Sequence, residues 1–590
     1  MTHILSEITI RNFKSIRNET FELSAFTPLV GYNNAGKSNM LEAIKWLLRK
    51  TALSDSSFHD NSLSVEMEGV ISGITQAILD QLPENQRTSI QPFLIADSLS
   101  IKRVQPQPNV GVAQIRLLVK DPANIGTANE WRANPTGLDQ AIQALFPEPI
   151  HIGAMENAEE DVSKSKNTTT IGKLLAEIIG PIQTSYSTQV QTALDGIKDL
   201  LDADGTSRAA ELNAFDAAVN GKVESFFPGV NIKVHVPTPE LKEVFSKGTI
   251  KVFENLNPAG RDVSALGHGA QRSIQMALVR HLADIKRDSG EQASNTILLI
   301  DEPELYLHPQ AIEVLRDALK TLSTQGYQVI FSTHSPFMIT SKDVGNTLLI
   351  RKNDTHGTHK RNSLRAAIPT VVTAAPSQLE LIFSLSHSSN ILFSERVILA
   401  EGTTENRLLP SIIQKVTTRT IGLHKTALVS MGGSGNTRKA MLVLNTMDIP
   451  TKAIVDLDFA LKQGESDGFL LTGDTDVAAI KAHLAAIAPT HSISLNAGWP
   501  TKGTMSAADA FRLLARETAI QANLVSLKSK MQAANIYVWT KGTIEDHLGG
   551  IPKNETGWAN FNARLDAEDL NVILPNDHQE ITDLVTWLIS

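Results

Sequence analysis

A short apolar strand, Phe26 to Val30, runs directly into Gly31-Tyr32-Asn33-Asn34-Ala35-Gly36-Lys37-Ser38, and LEAIKWLLRK then follows with helical spacing. The loop fits G-x-x-x-x-G-K-S. Its glycines let backbone amides close around phosphate oxygens, its lysine reaches the β- and γ-phosphates, and its hydroxyl can ligate magnesium. The pattern works only where a strand hands over to a helix, so it calls for an α/β fold. Asn33, Asn34, Gly36, Lys37 and Ser38 are therefore expected to hold a nucleotide, with Ser38 also touching its cation.

Two further strands support this. Ile297 to Ile300 lead into Asp301-Glu302-Pro303-Glu304, and Gln328 to Thr333 lead into His334. Both runs have the continuous apolar character of parallel strands buried on two faces. An aspartate at a strand tip can hold magnesium through water, and the next glutamate can polarise the attacking water. His334 stands where it can sense the γ-phosphate. Each feature alone also fits a solvated strand end or a core histidine; their order along the chain favours the site.

This set resembles the ABC-type ATPase heads of the RecF and structural-maintenance-of-chromosomes group. Leu305, His308 and Pro309 resemble that group's run after the acidic strand tip, and Gly267-His268-Gly269-Ala270-Gln271-Arg272 resembles its signature loop. The resemblance implies that Gly267, Gly269 and Gln271 face ATP bound by a second subunit, so that hydrolysis requires paired heads. Gly267 stands where the signature serine is usual, and SDSSFHDNS around His59 offers no Q-loop glutamine.

A second acidic constellation lies downstream. Arg396 to Ala400 deliver Glu401-Gly402, with Glu405 one helical turn on, and Lys452 to Val455 deliver Asp456-Leu457-Asp458. The chain has no cysteine, so any metal must sit on oxygen or imidazole. Carboxylates at adjacent parallel strand ends converge, and hard oxygen ligands suit Mg²⁺ or Mn²⁺. Two such ions can align water and stabilise the leaving oxygen of a phosphodiester. Gly432, Gly433 and Gly435 would form a tight loop beside the site. The arrangement resembles the Toprim fold of topoisomerases, primases and certain nucleases. Trp539-Thr540-Lys541-Gly542-Thr543-Ile544-Glu545 resembles the late K-G-x-x-E element of nuclease-type Toprim domains. That likeness implies Glu545 as a further metal ligand and Lys541 as the catalytic cation; a plain surface helix start is the alternative. Asp509 is a weaker ligand candidate.

Net charge is −9, which excludes a globally basic nucleic-acid coat. Between Ser411 and Ala440, however, Lys415, Arg419, Lys425, Arg438 and Lys439 occur with no acidic residue, either as a phosphate-tracking patch or as a solvated basic face. No secretory signal or membrane-length apolar run is present, so the chain reads as cytoplasmic.

An ABC head followed by a Toprim domain resembles the overcoming-lysogenization-defect (OLD) family, and GYNNAGKSN and GHGAQR resemble its single-gene class. The expected organisation is an ATPase part over 1–154, a helical dimerisation insert over 155–228, the second ATPase part over 229–375, and a Toprim nuclease domain with a parallel sheet over 376–590. Strand-and-turn structure is expected from Val230 to Phe253. The likeness implies ATP with one Mg²⁺, two Mg²⁺ or Mn²⁺ ions at the Toprim site, DNA as substrate, homodimers or higher oligomers, and a setting in phage exclusion or antiphage defence. An accessory helicase is not indicated. The rival reading is an ATP-gated DNA clamp or RecF-type repair scaffold with an inactive Toprim fold. Topoisomerase and primase readings lack a placed catalytic tyrosine and a template module. Replacing Lys37 with alanine is expected to remove ATP hydrolysis, measured as phosphate release; a wild-type rate would contradict the phosphate-loop assignment.

Overall fold

The structure, a computed structural model, describes residues 3–133, 135–146, 149–153, 170–240, 250–254, 257–289, 296–363, 388–431 and 433–590. The boundary expected near residue 375, Gly432 and the first part of the expected insert lie outside these residues. The chain divides into two compact units. One comprises 1–28, 36–338 and 355–357; the other comprises 29–35, 339–354 and 358–590.

In the first unit, alternating buried and half-buried residues build antiparallel strands. β1 (Ile4–Phe13) pairs with β2 (Ile16–Glu22), and the chain continues through β3 (Phe26–Val30). β4 (Val65–Ser72), β5 (Ser98–Gln105), β6 (Arg116–Lys120) and β7 (Trp131–Ala133) extend the antiparallel array from the other edge of β1. β4 alternates strictly, with Val65, Met67 and Ile71 buried, as a strand with one wet face requires. β8 (Ile150–Ile152) belongs instead to a parallel ladder described below. A two-stranded ribbon, β9 (Lys251–Glu254) and β10 (Asn257–Asp262), precedes helix His268–Ser289.

β11 (Thr296–Ile300) and β12 (Tyr327–Thr333) are buried along their whole length and pair in parallel, with β8 parallel on the other side of β11. Helix Pro309–Thr324 makes the crossover between β11 and β12. The helical stretch expected up to residue 227 is present as helices Thr170–Leu201 and Ala210–Val223.

Of the strand-and-turn structure expected from Val230 to Phe253, β9 supplies the strand at its end, and 241–249 lie outside the described residues. Residues 230–240 carry no strand, and the backbone groups that a ladder would use are taken by side chains of the insert. Asn220 Oδ1 accepts from the Ile232 N–H at 2.7 Å, Asp216 Oδ1 accepts from the Val234 N–H at 3.1 Å, and Arg208 donates to the Val234 carbonyl at 2.7 Å.

In the second unit, β13 (Leu348–Asn353) pairs in parallel with the end of β3, and β14 (Gly357–Lys360) follows. Gly31 is required here because a Cβ would stand 2.4 Å from the Ile350 carbonyl oxygen. Four parallel strands then form a separate sheet: β15 (Arg396–Ala400), β16 (Thr426–Ser430), β17 (Thr451–Asp456) and, after a small ribbon of β18 (Leu495–Asn496) and β19 (Trp499–Pro500), β20 (Ile536–Trp539). Their spatial order is β16-β15-β17-β20. Helices Thr403–Thr417, Glu555–Ala567 and His578–Ile589 cover one face and bury Leu408, Ile412, Phe561 and Leu584 against Ile398, Ile454 and Tyr537.

Ile454 lies on an interior strand with no exposed surface, so Ile454→Ala should cost about 2–5 kcal/mol. Leu471 is 83% exposed, and Leu471→Ala should stay within about 0.5 kcal/mol. Chemical denaturation of both variants checks the contrast; equal effects would contradict the burial assigned to β17.

Candidate functional site

At the nucleotide-binding loop, Gly36 adopts φ 105° and starts helix α1 (Lys37–Leu48) in a left-handed conformation that a glycine holds without strain. Lys37 is buried, with Nζ 2.8 Å from His334 Nε2. Ser38 Oγ donates to Asp301 Oδ2 at 2.6 Å, and Ser332 donates to the other Asp301 oxygen. The hydroxyl and the carboxylate assigned to the nucleotide's cation therefore meet directly. Asn33 and Asn34 stand in the same loop, with Asn34 at φ 64°.

Glu302 also has a left-handed backbone, φ 47°, and its Oε1 lies 3.3 Å from His334 Nε2. The adjoining His334, with the charge of Lys37 behind it, holds the Glu302 carboxyl below the usual range. It is thus anionic and able to accept a proton. Glu304 is a different case: burial pushes its carboxyl up, and its Oε1 accepts from Thr333 Oγ1 at 2.8 Å and the His334 N–H at 2.7 Å. It orients the end of β12.

The signature-like loop meets the β11 tip through Arg272. Its buried guanidinium donates to the carbonyls of Asp301 (2.6 Å), Glu302 (2.8 Å) and Gly153 (3.0 Å). Burial depresses its pKa to about 10, which still leaves it charged at neutral pH. Gln271 turns inward and donates to the Leu266 carbonyl at 2.8 Å, while Gly267 is exposed and Gly269 partly so. Arg272 belongs to the signature-like motif, but the carbonyls it braces come from segments distant in sequence.

The second site is assembled by register. Ala400 pairs with Ile454, and Asp456 pairs with Trp539, so Glu401, Asp456 and the chain after Trp539 emerge at the same carboxyl-terminal edge of the sheet. Glu401 Oε2 accepts from the Asp456 N–H at 3.0 Å. Ligand atoms of Glu401, Asp456 and Asp458 lie within 4.8 Å of one another. Glu405, buried in the first turn of helix Thr403–Thr417, accepts from Trp539 Nε1 at 3.3 Å, and Glu545 Oε1 accepts from Thr404 Oγ1 at 2.5 Å. Glu401, Glu405, Asp456 and Glu545 line one cavity of about 330 Å³, together with Gly402 and Gly433.

Three features of this cavity fit divalent cations. The donors are hard oxygens. Glu545 Oε2 is buried with no hydrogen-bond partner. Burial pushes Asp456 up to about 9, with the charges of Glu401, Glu405 and Asp458 adding to it, and burial pushes Glu405 up to about 7, with Glu545 adding. Such crowding is relieved either by protons or by cations.

Lys541 is placed elsewhere: its ammonium pairs with Asp577, and its backbone N–H donates to His547 Nε2 at 3.0 Å. The lysine at the carboxylates is Lys553, 60% exposed, with Nζ 3.8 Å from Glu545 Oε1. No motif flagged it, because it follows Glu545 by eight positions in an ordinary loop. Asp509 instead accepts from the Ser506 hydroxyl at 2.6 Å and pairs with Arg512. The basic segment divides. Lys425 precedes Thr426 at the amino-terminal edge of β16, with its ammonium 5.0 Å from the Tyr32 ring centroid, and only Arg438 and Lys439 follow the carboxyl-terminal edge. His547, Asp577 and Glu580 also cluster. His547 uses both ring nitrogens, one toward the Lys541 N–H and one toward Glu580, so this trio braces the loop.

Comparison with known proteins agrees with this division. The AAA ATPase domain family matches residues 4–83 and 113–339, and the family described as overcoming lysogenization defect protein-like, TOPRIM domain, matches 392–458. The Old nuclease of Escherichia phage P2 is 39% identical over 602 residues, covering 100% of both chains. Endonuclease GajA of Bacillus cereus is 25% identical and covers 79% of this chain and 77% of its own. The OLD nuclease of Thermus scotoductus is 22% identical and covers 77% and 82%. A solved Smc head bound to the C-winged helix domain of ScpA aligns with a TM-score of 0.35 at 16% identity, covering 62% of this chain and 99% of that one. No helix among the described residues is long and apolar enough to cross a membrane.

Carboxyls that sit above their ordinary values make the metal-free fold bind protons more tightly than the unfolded chain. Their stabilisation is complete near pH 4 and is lost as pH rises through about 7 for Glu405 and about 9 for Asp456. The thermal midpoint of metal-free protein should therefore fall between about pH 6 and about pH 9, and Mg²⁺ should raise it most at the alkaline end. A Mg²⁺ increment that shrinks with rising pH would contradict the cluster as a cation site.

Proposed function

The chain belongs to the OLD nuclease family, and from that premise we propose that it is an ATP-hydrolysing, metal-dependent DNA nuclease acting in phage exclusion or antiphage defence. The observation that carries the cleavage half is the meeting of Glu401, Glu405, Asp456 and Glu545 in one cavity, with Glu545 Oε2 buried and unpartnered. Residues 1–154 and 229–375 would form the ATPase, 155–228 an insert, and 376–590 the nuclease.

In the ATPase, Lys37 would exchange His334 for the phosphates, and Ser38 with Asp301 would hold the nucleotide's Mg²⁺. Glu302 accepts the proton of the attacking water, with His334 fixing its carboxylate. Exposed Gly267 and partly exposed Gly269 are free to complete the ATP site of a second copy. Pairing of chains is supported by the insert, where Phe226 (77% exposed), Phe227, Phe215 and Tyr186 present apolar surface to solvent.

In the nuclease, Glu401, Asp456 and Asp458 would hold one divalent cation, and Glu405 with Glu545 would complete a second position. Bound there, the cations would polarise the phosphodiester and supply a nucleophile at neutral pH. Lys553 neutralises charge that develops on the phosphate, the part the sequence motif had given to Lys541. Trp539 and Thr404 hold Glu405 and Glu545 in place through their hydrogen bonds.

Glu401→Ala is expected to reduce DNA cleavage at least about a hundredfold while ATP turnover stays near wild type. Plasmid nicking and phosphate release, measured on the same preparation with Mg²⁺ or Mn²⁺, check this. Loss of both activities together in a folded variant would contradict two separate sites, and an intact plasmid with wild-type protein would favour the scaffold reading.

A further inference from the structure

Beside the carboxylate cavity lies a second one of about 700 Å³, walled by Arg512, Arg516, Glu517, Glu545, Asp546 and Lys553 among others. Glu545 and Lys553 line both cavities, so the two adjoin at the carboxylate whose Oε2 is buried and unpartnered. The volume is within the range of sites that hold a small organic ligand.

The charges of this wall are unevenly satisfied. Arg512 is fixed by Asp546 at 3.1 Å and Asp509 at 3.0 Å. Asp546 also caps its own helix through the Thr543 N–H and hydroxyl, and Glu517 pairs with His483 at 3.1 Å. Arg516 is different. It caps helix Ala507–Ala515, is exposed, and its guanidinium has no hydrogen-bond or ion-pair partner among the described residues. Arg516 is thus the cation of this wall that has no partner among the described residues, while Lys553 stands 3.8 Å from Glu545 Oε1. Arginine is the side chain best matched to a phosphodiester, since its fork donates to two oxygens at once.

We propose that this cavity is the subsite for the nucleotide next to the cleaved bond, and that Arg516 binds the backbone phosphate on that nucleotide's far side. The inference rests on the nuclease reading above and adds to it where the substrate strand runs: from the carboxylates, past Lys553, along helix Ala507–Ala515. Arg516 acts here in substrate positioning, with no part in the chemical step.

Full-length Arg516→Ala and Arg516→Lys test this with two substrates, an oligonucleotide and a mononucleotide aryl phosphodiester that has no neighbouring phosphate. For Arg516→Ala the ratio of kcat/KM between oligonucleotide and ester should fall about tenfold, mainly through KM, with partial recovery in Arg516→Lys. Oligonucleotide binding in Ca²⁺, followed by fluorescence anisotropy against salt, should lose a slope of about 0.7 to 0.9, the signature of one phosphate contact. An unchanged ratio with an unchanged slope, or equal losses on both substrates, would overturn the subsite. The salt slope reads binding alone, so it remains decisive even if wild-type protein cleaves neither substrate, the outcome that would overturn the nuclease reading instead.

Discussion

Mutual repulsion among carboxylates gathered at one edge of a parallel sheet is the constraint around which the carboxyl-terminal unit is organised. Glu401, Glu405, Asp456, Asp458 and Glu545 are brought together although each charge makes the others harder to keep, and burial, with the charges of Glu401, Glu405 and Asp458 adding to it, lifts Asp456 to about 9. A fold retains such an arrangement only where something offsets it. Hydrogen bonds from the Asp456 N–H, Trp539 and Thr404 do so in part. The remaining deficit, clearest at Glu545 Oε2, is what a bound cation would offset.

The ATPase loop shows the same logic with opposite sign. Lys37 is buried against His334, and Ser38 is bonded to Asp301, so the loop holds its functional groups on partners that a nucleotide and its cation would replace. Arg272 ties the signature-like helix to the carbonyls of Asp301 and Glu302 at the tip of β11, where Glu302 has a left-handed backbone. A shift of that helix is therefore felt at the Glu302 backbone. Tyr32, inside the same loop, accepts from the Lys352 N–H at 3.0 Å and donates to the Lys352 carbonyl at 2.6 Å, so the loop is also anchored to β13.

What the sequence disclosed follows from how local the signals are. The phosphate loop, the strand before Asp301 and the strands before Glu401 and Asp456 were legible because a buried strand and its polar tip are contiguous in the chain. Residues 230–240 misled for the converse reason: their apolar composition suits a strand, but Asn220, Asp216 and Arg208 capture the backbone groups first. K-G-x-x-E fixes spacing but leaves side-chain direction open, and Asp577, from a segment 36 residues later, pairs with the Lys541 ammonium.

By itself, then, the sequence determined the two chemistries, since glycine-gated amides and strand-tip acids carry their reason within a few residues. Tertiary structure alone decided which basic side chains stand beside the acids. Lys553 and Arg516 reach the Glu545 wall from separate segments and meet in the same cavity. Coulomb interactions depend on distance in space, and distance along the chain does not report it.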